Sequence, residues 1–226
     1  MASKLAGAIS EEIGSCISLL VSEGLVDDQE FPSVVDIRGT HKRDAGWEVG
    51  RLGFSARHVL ADESYIDLYQ SVLESRNYSM MMIDGAMLQF WYQGAGERLV
   101  SHRLAYLPAP DLLPYVTDPE LYLRDVAFLE VVGQQVFPVP MRFDYDVRPG
   151  ASRDIVHPAS HLTLGQYRHC RIPVTKAMSP AGFVEFVVGN LYGSPEVERL
   201  DFAKKVDGWN ESITEGERGI LHVVQP

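Results

Sequence analysis

Apolar residues recur at helical spacing between residues 3 and 24, where Leu5, Ile9, Ile13, Ile17 and Leu20 make one stripe and Glu23-Gly24 offers a stop. The pattern predicts an amphipathic helix whose stripe packs on the body or on a partner. The same period over residues 64–75 sets Tyr65, Leu68, Tyr69 and Val72 on an inner face, with Ser64 or Asp62 as cap. A third helix is predicted over 118–131, opened by Asp118-Pro119, and a fourth over 179–192. Ser179-Pro180 starts the fourth, Phe183, Phe186, Val187 and Leu191 give its stripe, and Gly193 ends it.

Between the helices the period falls to two. Residues 79–83 and 86–93 flank Asp84-Gly85, a dipeptide suited to a tight primed turn, so they read as a hairpin. After Gly94-Ala95-Gly96 the run 98–107 adds a strand and completes an antiparallel meander, which Pro108 and Pro110 end. Two further strands are predicted at 141–147 and 161–165, and a short one at 170–174. Residues 27–44 read as loop with a short strand at 34–37, and 220–224 as one edge strand. The fold class is therefore α+β: an antiparallel sheet of meander and motif strands packed by several helices. We divide the chain into an N-terminal helix over 1–26, added outside, and a single domain over 27–226 with its motif core at about 64–192.

Composition narrows the function. A net charge of -11 argues against a protein that coats nucleic acid with its whole surface. Between 140 and 176, however, Arg and Lys outnumber Asp six to three. Two cysteines, Cys16 and Cys170, are too few for a disulfide framework or a thiolate zinc site. No secretory signal is read, and no apolar run approaches the roughly 18 residues of a membrane span. A cytoplasmic protein without a membrane role is expected.

The candidate chemistry lies between Arg142 and Val174. At strand period Arg142, Asp144 and Asp146 share one face, and His161 and Thr163 share another. If the two strands pair, guanidinium, carboxylates and imidazole meet. One reading gives catalysis to Arg142, Asp144, Asp146, His157 and His161, with Thr163, Arg168 and Arg171 binding substrate. An acid would orient or activate, His161 would move a proton, and the arginines would steady an anion such as a phosphodiester or nucleotide. In a second reading His157, His161 and one aspartate hold a divalent metal, although the spacing lacks the glutamate of HExxH. A third makes His161 and Thr163 a His-x-Thr element like that of phosphoesterases that use two copies, but only one copy is found. The bland account is that Arg142 and the aspartates are ion pairs fixing the sheet. No P-loop, dinucleotide fingerprint or Ser or Cys nucleophile signature is present.

The succession Asp-Gly-Ala-Met-Leu-Gln-Phe-Trp-Tyr, Arg-Phe-Asp-Tyr-Asp, His-Pro-Ala-Ser-His-Leu-Thr-Leu-Gly, Arg-Ile-Pro-Val and a Ser-Pro-initiated Phe-rich helix resembles an uncharacterised bacterial family of unknown function, over about residues 65–192. In that family the second histidine strand looks like His-Leu-His. Thr163 stands at the later position here, so the resemblance does not imply a three-histidine metal site. It implies a protein of the defence-system or toxin kind, with a nuclease or other hydrolase as the expected activity and nucleic acid or nucleotide as partner. The alternative is a non-catalytic subunit or scaffold that binds a protein partner through the N-terminal helix.

Overall fold

The computed structural model describes residues 3–37, 46–50, 64–110, 139–167, 169–192, 200–202, 206 and 209–225. In chain order these hold α1 (Lys4–Ser22), β1 (Val26–Gln29), β2 (Val34–Ile37), β3 (Gly46–Gly50), α2 (Tyr65–Glu74), β4 (Met80–Met82), β5 (Met87–Ala95), β6 (Arg98–Leu107), β7 (Met141–Asp146), β8 (Ser160–Leu164), β9 (Ile172–Pro173), α3 (Pro180–Leu191) and α4 (Glu215–Arg218). The class is α+β. All nine strands join one antiparallel sheet in the order β1-β4-β5-β6-β7-β8-β9, and β2 and β3 extend it from β5. One edge of β5 is divided: β4 pairs with its first residues, and β3 pairs from Trp91 to Gly94.

The meander forms as expected, but by a different turn. Gly85 alone takes a positive φ, of 82°, and its N–H bonds Met82 O while Met82 N bonds Ala86 O. This is a three-residue loop ending in a left-handed glycine, not the two-residue type I′ turn, in which Asp84 would also need a positive φ. The strand over 34–37 is where the alternation put it. β1 falls where a loop was expected, because Asp27 and Asp28 hide its period, and β3 lies just past that stretch, where its two glycines left no pattern to read. The expected strand at 220–224 is reduced to one parallel bridge, Val174 to Val223, flanked by exposed Leu221 and Val224. The helix expected at 118–131 lies outside the described residues.

Alternation divides the sheet into two faces. Phe90, Leu104, Phe143, Leu162 and Ile172 are successive cross-strand partners. The first four are buried in the main core under α1 and α3. Phe183 meets Phe90 edge-on at 5.4 Å, and Phe186 meets Phe143 edge-on at 5.1 Å, the aromatic geometry that favours a positive edge on a negative face. Helix α3 begins as read: Ser179 caps it by accepting from Gly182 N at 3.0 Å.

Helix α1 is inside this core instead of added to it. Ile9, Ile13, Ile17 and Leu20 are fully buried, and Glu12, on the same stripe, accepts from Ala181 N (2.9 Å) and Val206 N (2.6 Å). A buried carboxylate needs such donors, and Ala181 supplies one of the free amides of the first turn of α3. By length and composition α1 is also apolar enough to cross a membrane, and its stripe is covered by the chain itself. On the opposite face α2 packs Leu68, Tyr69 and Val72 over Met87, Ala105 and Leu107. Beyond that small apolar cluster the face turns polar.

Candidate functional site

One residue out of step with the aromatic row runs a second row of partners: Trp91 on β5, Arg103 on β6, Asp144 on β7, His161 on β8 and Pro173 on β9. The row next to it pairs Ala105 with Arg142 and Arg142 with Thr163. Strand pairing at about 4.8 Å therefore gathers the polar residues. The two motif strands do pair, and in the register that puts Asp144 opposite His161.

Asp144 is the centre. Arg103 Nε donates to its Oδ1 at 2.8 Å and Arg142 Nε to its Oδ2 at 2.5 Å, and His161 Nε2 stands 3.6 Å from that same Oδ2. All this happens in a closed environment, with Asp144 8% and His161 4% exposed. Burial works against the Asp144 charge, but Arg142 and then Arg103 outweigh it and hold the carboxyl at about 2. Burial lowers Arg142, opposed by Asp144, and the positive charges of Arg103 and Arg171 lower it further.

For His161, burial outweighs the attraction of Asp144 and brings the imidazole down to about 4, so it is neutral at neutral pH. Its Nδ1 lies 2.9 Å from Pro158 O, an acceptor, which assigns the ring proton to Nδ1. The lone pair of Nε2 then faces the Asp144 carboxylate without a hydrogen bond. That arrangement disfavours resting contact, and Asp144 offsets part of what burial costs an imidazolium formed there.

A model of a family described as an uncharacterised conserved protein, DUF2290, matches residues 25–225. The chain belongs to DUF2290. No curated protein and no solved structure matches it. Membership in DUF2290 thus marks the extent of the shared unit, and the chemistry must come from the residues.

The remaining candidates in this DUF2290 chain surround the centre at different distances. Asp146 pairs with Arg148, half-exposed, and takes no part in the Asp144 cluster; its carboxyl is held low by Arg148 against the opposing effect of burial. His157 belongs to the loop between β7 and β8, with its Nδ1 2.6 Å from Ala151 O and its ring centre 5.0 Å from that of His161. Thr163 is buried at 4% exposure, and its Oγ1 has no hydrogen-bond partner among the described residues. Arg171 is half-buried, and Arg168 lies outside the described residues. Arg142 also lines a cleft, with Leu68, Ala105, Leu107, Pro140, Met141, Gly165 and Gln166 as the other walls.

Among the described residues no three His, Cys, Asp or Glu side chains are grouped to hold a metal ion. The divalent metal allowed by the sequence finds no ligand set there, and Asp144 already serves two guanidinium groups. The residue that sequence reasoning left out of the site is Arg103. The two-residue loop Gly96-Glu97 alone would set Trp91 opposite His102; a bulge between Gln93 and Gly94 shifts the register by one residue and sets Arg103 opposite Trp91, and no local pattern announces that bulge. His102, its neighbour, goes to the aromatic face, stacks on Tyr145 at 5.6 Å and accepts from Met178 N at 2.9 Å. Complete burial lowers His102 to about 3, and it is a structural histidine.

Proposed function

We propose that the chain is a cytoplasmic hydrolase of phosphate esters or nucleotides, in which Arg142 holds the anion and His161 accepts the proton of the attacking water. The observation that carries the reading is the convergence of Arg142 Nε and His161 Nε2 on one oxygen of Asp144, with Arg142 also forming a wall of the cleft. Arg142 gives Asp144 its Nε. Its terminal nitrogens have no bond among the described residues and suit two oxygens of a phosphoryl group. Thr163, opposite Arg142 on β8, has a buried hydroxyl with no hydrogen-bond partner among the described residues.

In the step, a water oxygen bonds to phosphorus as its proton passes to His161 Nε2, and the bond to the leaving oxygen breaks, with that oxygen taking the electron pair and then a proton from solvent. The imidazolium then rests against Asp144. Because Arg142 Nε occupies Oδ2 in the resting state, the reading requires Arg142 to turn from Asp144 to the substrate, which frees Oδ2 for the imidazolium. Arg103 keeps the other oxygen and holds the carboxylate in place. His157, beside the imidazole, is placed to relay the proton outward.

The test is hydrolysis by the full chain of a panel of phosphodiesters, nucleotides, RNA and DNA. His161→Asn and Arg142→Gln should each lower the rate by roughly a hundredfold or more with the fold retained. A panel with no turnover, or variants that match the parent, would refute the assignment. The other reading, a non-catalytic subunit that binds a protein partner, cannot use the α1 stripe, which is buried. It would use exposed Ile155, Val156, Ile220 and Leu221 instead.

A further inference from the structure

An exposed aromatic stands next to the cleft that Arg142 lines. The turn after β8 puts Gly165, one of the lining residues, at φ 60°, and Gly165 N bonds Pro140 O, another of them, at 2.7 Å, which fixes the chain there. A Cβ at residue 165 would lie 3.1 and 3.2 Å from Cδ2 and Cε2 of Tyr167, so one edge of the tyrosine ring rests on the glycine backbone. The rest of Tyr167 is open, at 74% exposure. Its carbonyl accepts from Cys170 N at 3.1 Å, which closes a turn and holds the residue at that spot. An exposed aromatic kept in place beside an apolar-walled cleft is a stacking surface waiting for a planar group.

Arg142, on the cleft wall, supplies the complement: its bond to Asp144 uses Nε, which leaves the terminal nitrogens of the guanidinium for an anion, while Thr163, opposite it on β8, lies behind the wall. Arg171 stands near enough for its charge to disfavour that of Arg142, and an anion would relieve this repulsion. An anion held at Arg142 and a flat ring on Tyr167 describe two ends of one molecule. Resting on the hydrolase reading above, and narrowing it, we infer that the ligand is a nucleoside phosphate whose phosphate meets Arg142 and whose base stacks on Tyr167. The ligand is either a free nucleotide or one residue of a single strand.

The experiment is calorimetric titration of the full chain with AMP, with ribose 5-phosphate as the probe lacking a base, and with a short single-stranded oligonucleotide. AMP should bind more tightly than ribose 5-phosphate, by roughly 5- to 150-fold if one base stacks. Tyr167→Ala should erase that difference and leave ribose 5-phosphate binding unchanged, while Tyr167→Trp should keep it. Arg142→Gln should weaken both. If AMP and ribose 5-phosphate bind equally well, or Tyr167→Ala keeps the preference, the stacking assignment falls and the phosphate site stands. If neither binds, both fall. An oligonucleotide that binds more tightly than AMP in a Tyr167-dependent way identifies the strand as the source, and the reverse order identifies the free nucleotide.

Discussion

Acidification should weaken the fold through His161 by an amount the structure sets. The imidazole is buried, with Asp144, Arg142 and His157 facing it, and its value falls from 6.5 to about 4. In the unfolded chain it takes up a proton near 6.5, while the folded protein resists until about 4. The stabilising contribution is therefore complete above 6.5 and is lost as the pH falls from 6.5 toward 4. Between about pH 7.5 and about pH 5 the unfolded state gains nearly one proton that the folded state does not, which costs about 2 kcal/mol. His102 acts in the same direction, and Asp84, whose carboxyl burial raises, acts against both. The comparison with a variant removes those shared contributions. His161→Asn keeps a donor toward Pro158 O and has nothing to titrate. Urea unfolding followed by tryptophan fluorescence should show the stability difference between parent and variant shrinking by about 2 kcal/mol from the higher pH to the lower. A difference that stays constant across that range would refute the buried, neutral state of His161.

Two other expectations concern stability. Asp144→Asn leaves Arg103 and Arg142 in a buried site without their carboxylate, and should lower the unfolding free energy by about 3–5 kcal/mol at neutral pH; a loss below about 1 kcal/mol in urea would show that the arginines find other partners. Gly94→Ala would put a Cβ 2.1 Å from Trp47 Cζ2 and 2.5 Å from Arg98 O, so the β3–β5 pairing should loosen at a cost of about 1–3 kcal/mol. An unchanged melting temperature would contradict the close approach of Trp47 to β5.

Much of the fold was legible because period and capping agree locally. α1, α2, α3, the meander and the motif strands all carry their own pattern, and Ser64 and Ser179 cap where their sequence suggested. The elements that were missed are short and borrow stability from neighbours: β1 is half acidic, and β3 is bounded by glycines and held by Trp47 across Gly94. The place of α1 in the core was hidden for a similar reason. Glu12 looks like a surface charge in sequence, and the amides that make its burial tolerable, Ala181 N of α3 and Val206 N, come from far along the chain. In the site, alternation put Asp144, Asp146 and His161 where two paired strands would bring them together, and left open which aspartate His161 opposes; the register selects Asp144. Arg103 is 41 residues from Asp144, and only strand register connects them.

The two rows on opposite sides of β7 also act as a lock against mispairing. Shifting that strand by a single position would drive Asp144 and Arg142 in among the phenyl rings of Phe90, Phe183 and Phe186 and turn Phe143 toward Arg103 and His161. Each stranded ion would cost several kcal/mol, comparable with the whole stability of a domain. The charged constellation thus dictates how the sheet zips together, whatever it does to a ligand, and a sequence that lost it would be free to assemble out of step.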